Sequence, residues 1–212
     1  SGMAALISVV LPAYNAAATL EQTLSSLVRQ THRDFEVVLV DDCSRDATLS
    51  VAQRFATQLR LKLLRNDHNM GVARTLNRAL HEAEGEFIAR LDADDLAQPT
   101  RLQRQLEVLR EQPQLDVLGS HMVMFQAGAD DDIHTMRPLG MLAHPLADAA
   151  IKTSLVQRNV LSHPSLMIRR RFFDDVGLYN PALDFAEDYD LWCRGALLGK
   201  RYANVPEALT WY

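Results

Sequence analysis

Cysteine is scarce in this sequence. The 212 residues contain two cysteines, Cys43 and Cys193, which lie far apart along the chain. So low a number excludes a framework of several disulfides, and the separation excludes a C-x-x-C metal site, so we interpret both thiols as structural. Scarce cysteine is typical of a reducing compartment, and we therefore expect a cytoplasmic domain.

Long apolar runs and an excess of positive charge are also missing. No apolar stretch approaches the roughly 20 residues that a membrane-spanning helix needs, so we expect no transmembrane span. Peripheral association with the inner face of the plasma membrane stays open. The chain has 22 basic and 27 acidic residues, a formal net charge of -5, which offers no broad basic surface for phosphates. We therefore expect no nucleic-acid partner.

Glycine-rich phosphate loops are absent as well. No G-x-G-x-x-G follows a predicted strand, which argues against a dinucleotide-binding dehydrogenase. The first predicted strand is followed by Pro12-Ala13-Tyr14-Asn15 instead of the glycine-rich loop expected of a nucleotidyltransferase. The nucleotidyltransferase is therefore the less favoured enzyme.

The chain does contain a regular alternation of strand and helix patterns. With 48% hydrophobic residues it can bury a full core, and we expect a single α/β domain. Helical apolar spacing separates four short apolar runs, at residues 7–11, 35–40, 61–64 and 87–91. This βαβαβαβ order predicts a Rossmann-like, mostly parallel central sheet flanked by helices.

Beyond the fourth strand the pattern is less regular. It predicts a helix over residues 99–112, with Pro99 in its first turn, and a strand over residues 117–125. Residues 128–145, with aspartates at 130–132, are predicted to form a mobile loop in an acceptor or lid region. No internal repeat is present, so a second domain is not predicted.

Polar residues follow each of the four strands. They comprise residues 12–15, the pair Asp41 and Asp42, residues 65–67 and residues 92–95. Ligands of such sheets bind beyond the carboxyl ends of the strands, so these residues predict one functional edge. Pro12 and Tyr14 are candidate substrate contacts there, because the tyrosine ring can stack on a base, although an isolated tyrosine can also simply pack.

The carboxylates Asp92, Asp94 and Asp95 suggest a metal site. Three acids within four residues repel one another unless a cation or hydrogen-bond donors compensate. Oxygen ligands suit Mg²⁺ or Mn²⁺, which take one or two carboxylates and complete their shell with phosphate and water. A solvated loop that caps the next helix is the alternative.

The pair Asp41 and Asp42 has the same two interpretations. One carboxylate could accept from a base N–H or a ribose hydroxyl, or Asp42, Ser44 or Asp46 could cap the following helix. For Ser44 and Asp46 we favour the cap.

Arginines nearby could balance a diphosphate. Arg65, Arg74 and Arg78 are the candidates, and Arg74 and Arg78 are four residues apart on one predicted helix face. They could equally be ordinary surface arginines.

A second acidic cluster occurs at residues 187–190. Glu187 and Asp188 could supply a general base, whereas Asp190 more simply favours the dipole of a helix that begins there. His163, followed by Pro164 and Ser165, could contact substrate or be structural.

Taken together and in order, these blocks resemble glycosyltransferase family 2. The resemblance covers nearly the whole chain from Ile7 onward. The blocks are S-V-V-L-P-A-Y-N at 8–15, Q-T at 30–31, D-F-E at 34–36, V-D-D at 40–42, N-M-G at 69–71 with Asn77, G-E-F-I at 85–88, L-D-A-D-D at 91–95, H-P-S at 163–165 and E-D-Y-D-L-W at 187–192.

The resemblance implies a GT-A fold, a nucleotide-sugar donor, a divalent metal (Mn²⁺ or Mg²⁺) and inversion at the anomeric carbon. By this resemblance, Tyr14 and Asp42 hold the nucleotide base, Arg74 lies near that base or the diphosphate, and Asp92 lies near the ribose. Asp94 binds the metal, and Asp95 extends the same motif. Asp188 is the catalytic base, and Glu187 assists in binding the acceptor. The Q-x-x-R-W signature of the family's processive synthases is missing, which favours transfer of a single sugar.

The resulting hypothesis is transfer from a UDP-sugar to a saccharide, lipid-linked or other hydroxyl acceptor in cell-surface polysaccharide or glycan synthesis. Residues 3–125 are expected to bind the donor and residues 126–212 the acceptor, and the natural protein is expected to continue beyond Tyr212. A catalytically silent nucleotide-sugar-binding domain is the alternative from another class.

Overall fold

The fold is an α/β sheet with helices on both faces. A computed structural model of the chain describes residues 6–126, 137–183 and 185–212. The strands in these ranges are β1 (Ile7–Ala13), β2 (Phe35–Asp41), β3 (Leu61–Arg65), β4 (Phe87–Arg90), β5 (Leu96–Ala97), β6 (Val117–Gln126), β7 (Arg137–Leu142), β8 (Met167–Arg169) and β9 (Tyr202–Trp211).

Seven α-helices connect the strands within the described residues. They are α1 (Leu20–Val28), α2 (Thr48–Gln53), α3 (Val72–Glu82), α4 (Arg101–Glu111), α5 (Asp148–Leu155), α6 (Arg170–Val176) and α7 (Glu187–Leu197), with a 3₁₀ turn at His163–Ser165. None of the helices in this part of the chain combines the length and apolar character required for a membrane span.

All nine strands join one sheet in the order β3-β2-β1-β4-β8-β6-β9-β5, with β7 added to β6. The first four strands pair in parallel, as the alternating pattern predicted. Beyond β4 the pairing is mixed, since β8 is antiparallel to both neighbours and β9 is parallel to β6. Parallel strands covered on both faces explain the continuous apolar runs in the sequence.

The core lies on both sides of this sheet. Successive residues of β1 point to opposite faces, so Val9 joins the cluster packed under α1, α2 and α4, and Val10 joins the cluster under α3, α5, α6 and α7. The sheet edge formed by the carboxyl ends of β1, β2 and β4 is therefore held rigidly from two sides.

Two predictions about the later part of the chain need correction. The helix predicted over 99–112 begins at Arg101, because Pro99 and Thr100 still belong to the preceding turn. The loop predicted over 128–145 contains a strand, β7, that pairs with β6. All of its residues are exposed, so it carries no alternation of buried and exposed positions that could have predicted it. The aspartates at 130–132 lie outside the described residues.

Candidate active site

Two adjoining cavities form a cleft at the carboxyl ends of β1, β2 and β4. The Tyr14 cavity, of about 540 Å³, contains Tyr14, Asp42 and Glu187 in its wall. The Asp188 cavity, of about 450 Å³, includes Asp188. Both share Asp92, Asp94 and His163, so these three residues form the boundary between the cavities. Volumes of this size suit small organic ligands.

The turn after β1 presents Tyr14 to the cleft. Pro12 and Tyr14 both line the Tyr14 cavity, and Tyr14 is 50% exposed, so one ring face is available for stacking. Asn15 adopts a left-handed φ of 47°, a conformation that asparagine tolerates better than most residues. The backbone N–H of Asn15 donates to the Ser44 hydroxyl at 2.8 Å, which fixes the turn.

Asp42 lines the same cavity while it organises the loop before α3. Its carboxylate accepts from Asn66 Nδ2 at 2.9 Å and from the backbone N–H groups of Met70 at 2.7 Å and Gly71 at 3.1 Å. A carboxylate has about four acceptor positions, so one position remains for a ligand donor. The sequence did not reveal that Asn66 would be a partner.

The N-cap residue of α2 is Ala47, which has no side-chain cap hydrogen bond, so the caps predicted at Ser44 and Asp46 are wrong. Ser44 does not cap that helix: its hydroxyl donates to Asp41 and its backbone N–H lies 3.1 Å from the same carboxylate. Asp46 accepts from the backbone N–H of Thr48 at 3.0 Å, at the first residue of α2. Competition from the buried Asp41 carboxylate explains why Ser44 turns away.

Arg90 lies in the wall of the cleft although it was not among the residues proposed from the sequence. It is the last residue of β4, it is 1% exposed, and it belongs to the wall of the Tyr14 cavity. Its guanidinium donates to Asp92 Oδ1 at 2.8 Å, to His163 Nε2 at 3.0 Å, and to the carbonyls of Val10 at 2.8 Å and Leu91 at 3.0 Å. Burial opposes its charge, but Asp92 raises the pKa of Arg90 above the ordinary value.

The neighbouring carboxylates are crowded. Burial, and then the charges of Asp92 and Asp94, raise the pKa of Asp95 to about 8. Burial and Asp92 also raise the pKa of Asp94. Burial and the nearby Arg90 lower the pKa of buried Arg101 to about 9, so this guanidinium is still protonated at neutral pH, and its charge partly opposes the rise at Asp95. The raised pKa values mean that the charged carboxylates are disfavoured here, and a bound cation would favour their charged forms.

These residues fit a divalent cation that is completed by substrate. Within the described residues no group of three or more His, Cys, Asp or Glu side chains is arranged to hold a metal ion. Asp94, however, is exposed at the boundary of both cavities. Mg²⁺ and Mn²⁺ commonly use one or two carboxylates and take the other ligands from substrate phosphates and water.

The three arginines predicted to balance a diphosphate have different surroundings. Arg78 donates to the Arg65 carbonyl at 2.7 Å and to Asn66 Oδ1 at 2.8 Å, so its guanidinium holds the loop that follows β3. Arg65 lies 3.8 Å from Asp41 and is outside the lining of either cavity. Arg74 is exposed on α3, whose neighbouring residues Val72 and Thr75 line the Tyr14 cavity.

His163 is held as a neutral acceptor. The guanidinium of Arg90 can only donate, so Nε2 of His163 must accept, and its proton then resides on Nδ1. The hydroxyl of Tyr179 lies 2.7 Å from the same nitrogen. Burial and the charge of Arg90 hold the pKa of His163 well below its usual range. At neutral pH this ring therefore adds no positive charge to the cleft.

The first turn of α7 carries the second set of acids. Glu187 lines the Tyr14 cavity and Asp188 lines the Asp188 cavity, so adjacent residues face different parts of the cleft. Asp190 forms an ion pair with Arg194 at 2.9 Å, one turn later on the same helix. The acids also complement the positive end of the helix dipole.

Asp188 has a partner that the sequence analysis did not single out. Asn159 donates from Nδ2 to Asp188 Oδ2 at 3.1 Å. His144 also lines this cavity and lies 2.6 Å from the Ser162 hydroxyl. Burial and then His121 lower the pKa of His144. Asn159 and His144 come from the poorly patterned region after residue 128, which gave no local signal for them.

Comparison with known proteins supports one assignment. The model described as Glycosyl transferase family 2 matches residues 8–177. The putative glycosyltransferase EpsE of Bacillus subtilis is 31% identical over 207 residues, covering 96% of this chain and 71% of that protein. The amylovoran biosynthesis glycosyltransferase AmsE of Erwinia amylovora is also 31% identical over 207 residues, covering 96% of this chain and 74% of that protein.

Solved structures share the fold. The crystal structure of S. aureus TarS 1–349 in complex with UDP-GlcNAc has a TM-score of 0.78 and 27% identity, covering 97% of this chain and 58% of that one. The mannosyltransferase PcManGT from Pyrobaculum calidifontis has a TM-score of 0.74 at 24% identity, covering 99% and 57%. The predicted GT-A architecture is therefore confirmed.

The matches cover nearly all of this chain but a smaller share of the related proteins. A Haemophilus influenzae relative is 29% identical over 210 residues, which are 98% of this chain but 65% of that protein. The chain thus spans somewhat less than two thirds of some relatives. Because the family model matches residues 8–177 of 212, the chain belongs to glycosyl transferase family 2.

Proposed function

We propose that this chain is a glycosyltransferase that moves one sugar from a nucleoside-diphosphate donor to a hydroxyl acceptor, with inversion at the anomeric carbon. The observation that carries the proposal is that two cavities share Asp92 and Asp94, while Asp188 lines only the second of them. Direct displacement needs a base and a leaving-group site on opposite sides of the reacting sugar. The separate cavities that contain Tyr14 and Asp188 support this arrangement.

The Tyr14 cavity is the proposed donor site. Tyr14 would stack on the base, Asp42 would accept from a base N–H, Asp92 would lie near the ribose, and Arg74 near the base or diphosphate. A UDP-sugar is the first donor to test, because the related TarS was solved in complex with UDP-GlcNAc. Pro12, His163 and Asp95 complete the proposed contacts, and residues 3–125 form most of the donor half.

A divalent cation, Mn²⁺ or Mg²⁺, is proposed to bind at Asp94. Among the described residues that line the Tyr14 cavity, Arg90 is the one arginine or lysine, and Asp92 and His163 already engage it. A donor diphosphate would therefore find Arg90 already engaged in the cavity wall, with Arg74 on the exposed face of α3 as the other proposed protein cation. When bound, the metal would supply positive charge to the departing diphosphate.

Asp188 is the proposed catalytic base. It would accept the proton of the acceptor hydroxyl as that oxygen forms its bond to the anomeric carbon, while the bond to the diphosphate breaks. Glu187 would assist acceptor binding, although it lines the donor side of the cleft in this structure. Residues 126–212 would contribute most acceptor contacts.

The biological setting follows from the relatives' names. AmsE is an amylovoran biosynthesis glycosyltransferase, and TuaG of Bacillus subtilis is a putative teichuronic acid biosynthesis glycosyltransferase that is 32% identical over 154 residues. We therefore propose a role in cell-surface polysaccharide or glycan synthesis, with a saccharide, lipid-linked or other hydroxyl acceptor. A cytoplasmic location and association with the inner face of the plasma membrane stay predictions.

Calorimetric titration tests the donor site. UDP, GDP and dTDP would each be titrated with and without Mn²⁺ into the wild-type protein, Asp94→Ala and Asp188→Asn. We expect Mn²⁺-dependent binding of one nucleotide to the wild type and a weaker affinity in Asp94→Ala. Asp188→Asn should bind the nucleotide with the affinity of the wild type but should lose sugar transfer in a separate activity assay. Binding with no turnover in the wild type would instead favour a silent nucleotide-sugar-binding domain, and unchanged affinity in Asp94→Ala would remove Asp94 from the metal site.

A further inference from the structure

The side chain of Asn159 bridges the loop before the 3₁₀ turn and the first turn of α7. Its Oδ1 accepts from the backbone N–H of Leu161 at 3.1 Å, and its Nδ2 donates to Asp188 Oδ2 at 3.1 Å. Both Asn159 and Asp188 line the Asp188 cavity. The contact therefore joins two wall residues that are 29 positions apart in the chain.

The hydrogen bond to Leu161 decides which way the amide faces. A backbone N–H can only donate, so the oxygen of Asn159 must point to Leu161, and the NH₂ group then points to Asp188. On Asp188, the other oxygen accepts from the backbone N–H of Tyr189 at 2.8 Å. Each oxygen of this carboxylate thus has one protein donor, which restricts rotation of the group.

We propose that Asn159 is the positioning residue for the base of the transfer reaction, an inference that rests on the function proposed for Asp188. Asn159 holds Oδ2 in place, and the remaining lone pair of Oδ2 takes the acceptor proton. The fixed orientation matters because a base acts only within hydrogen-bond reach of its proton, about 2.6–3.2 Å. Asn159 accordingly acts on the rate of transfer through Asp188 and has no part in donor binding.

The alternative role for Asn159 is to stabilise its own turn through Leu161. The substitution Asn159→Asp separates the two roles, because aspartate keeps the oxygen that accepts from Leu161 and loses the donor to Asp188. Gln157→Asp is the matched control. It adds the same negative charge two residues away, on a side chain that is exposed.

The experiment measures UDP release by the wild type and both variants from a panel of UDP-glucose, UDP-galactose and UDP-N-acetylglucosamine, in water and with added sugar acceptors. We expect kcat to fall about 100-fold in Asn159→Asp, the scale on which misplacing a catalytic group acts. The donor KM and the calorimetric Kd for UDP with Mn²⁺ should stay unchanged. Gln157→Asp should match the wild type.

Wild-type turnover in Asn159→Asp would overturn the inference, and the role of Asn159 would then be to stabilise its own turn through Leu161. A rise in donor KM with unchanged kcat would overturn it too, since a positioning residue for the base acts on the chemical step. An equal loss in Gln157→Asp would attribute the effect to added charge. Absence of UDP binding or of any turnover in the wild type would contradict the proposed function itself, so the two failures are distinguishable.

Discussion

Replacing the buried Arg90 should destabilise the protein markedly. Arg90→Met keeps an apolar chain of similar length in the same space but removes all four hydrogen bonds of the guanidinium. The carbonyls of Val10 and Leu91 then lose their side-chain donor, and Asp92 loses its ion-pair partner.

The size of the loss in stability follows from the different burial of Arg90 and Asp92, which form an ion pair. Breaking a buried ion pair by removing one partner costs about 3–5 kcal/mol, because the other charge stays buried. Here the side chain of Asp92 is 40% exposed and can regain some water, so we expect about 3 kcal/mol. Most domains are stable by only about 5–15 kcal/mol, so the loss should be plain in urea unfolding.

A double-mutant cycle with Asp92→Asn separates the pair from the other contacts. In the Arg90→Met background the asparagine should cost less than in the wild type, with a coupling of about 1–3 kcal/mol. Arg90→Lys keeps a charge but loses the planar fork, and should fall between the wild type and Arg90→Met. An Arg90→Met variant within about 0.5 kcal/mol of the wild type, the range of ordinary surface substitutions, would refute the reasoning.

Two further predictions concern stability away from the cleft. Burial opposes the charge of Glu36, but hydrogen bonds from Ser8, the Glu84 backbone and Lys62 together lower its pKa. The stability that the charged Glu36 contributes is present above the pKa of the unfolded state. It is lost as the pH falls through the pKa of the folded state. Urea unfolding should therefore show Glu36→Gln about 2 kcal/mol less stable at pH 7, with the deficit shrinking below about pH 4; a deficit independent of pH would contradict this assignment. In Gly195→Ala the new Cβ would clash with the hydroxyl of buried Tyr202, so overpacking of about 1–3 kcal/mol should exceed the helix-propensity gain of about 1 kcal/mol. Gly140→Ala, where nothing lies within 4 Å, is the control for thermal unfolding, and equal melting temperatures would refute the clash.

The strands of the first half could be predicted because their signal is local. The runs that form β1, β2 and β4 are buried, and the run that forms β3 is half-buried at the edge of the sheet. The observed bounds of all four differ from those predicted by at most two residues at either end. The edge strand β7 could not be predicted in the same way. All of its residues are exposed, and it contains Pro138, which argues against a strand.

The cleft shows the same division between local and distant causes. Asp42 and Asp94 could be proposed as site residues because they follow strands of a parallel sheet, and the structure places both in the wall of the Tyr14 cavity. Arg90 and Asn159 gave no such signal, since their partners come from distant segments. A charged residue inside an apolar strand, two positions before an acid, was nevertheless a signal that could have been used for Arg90.

The charges at the cleft link the donor to the metal in the proposed function. Asp92 is already paired with Arg90, the neutral His163 adds no charge, and Asp95, whose pKa is raised to about 8, is largely protonated at neutral pH, so Asp94 is the exposed carboxylate of this group that a cation can reach. A cation without a diphosphate would find few protein ligands, and a diphosphate without a cation would face repulsion. Each ligand should therefore strengthen the binding of the other by the same factor, because coupling between two bound ligands is reciprocal.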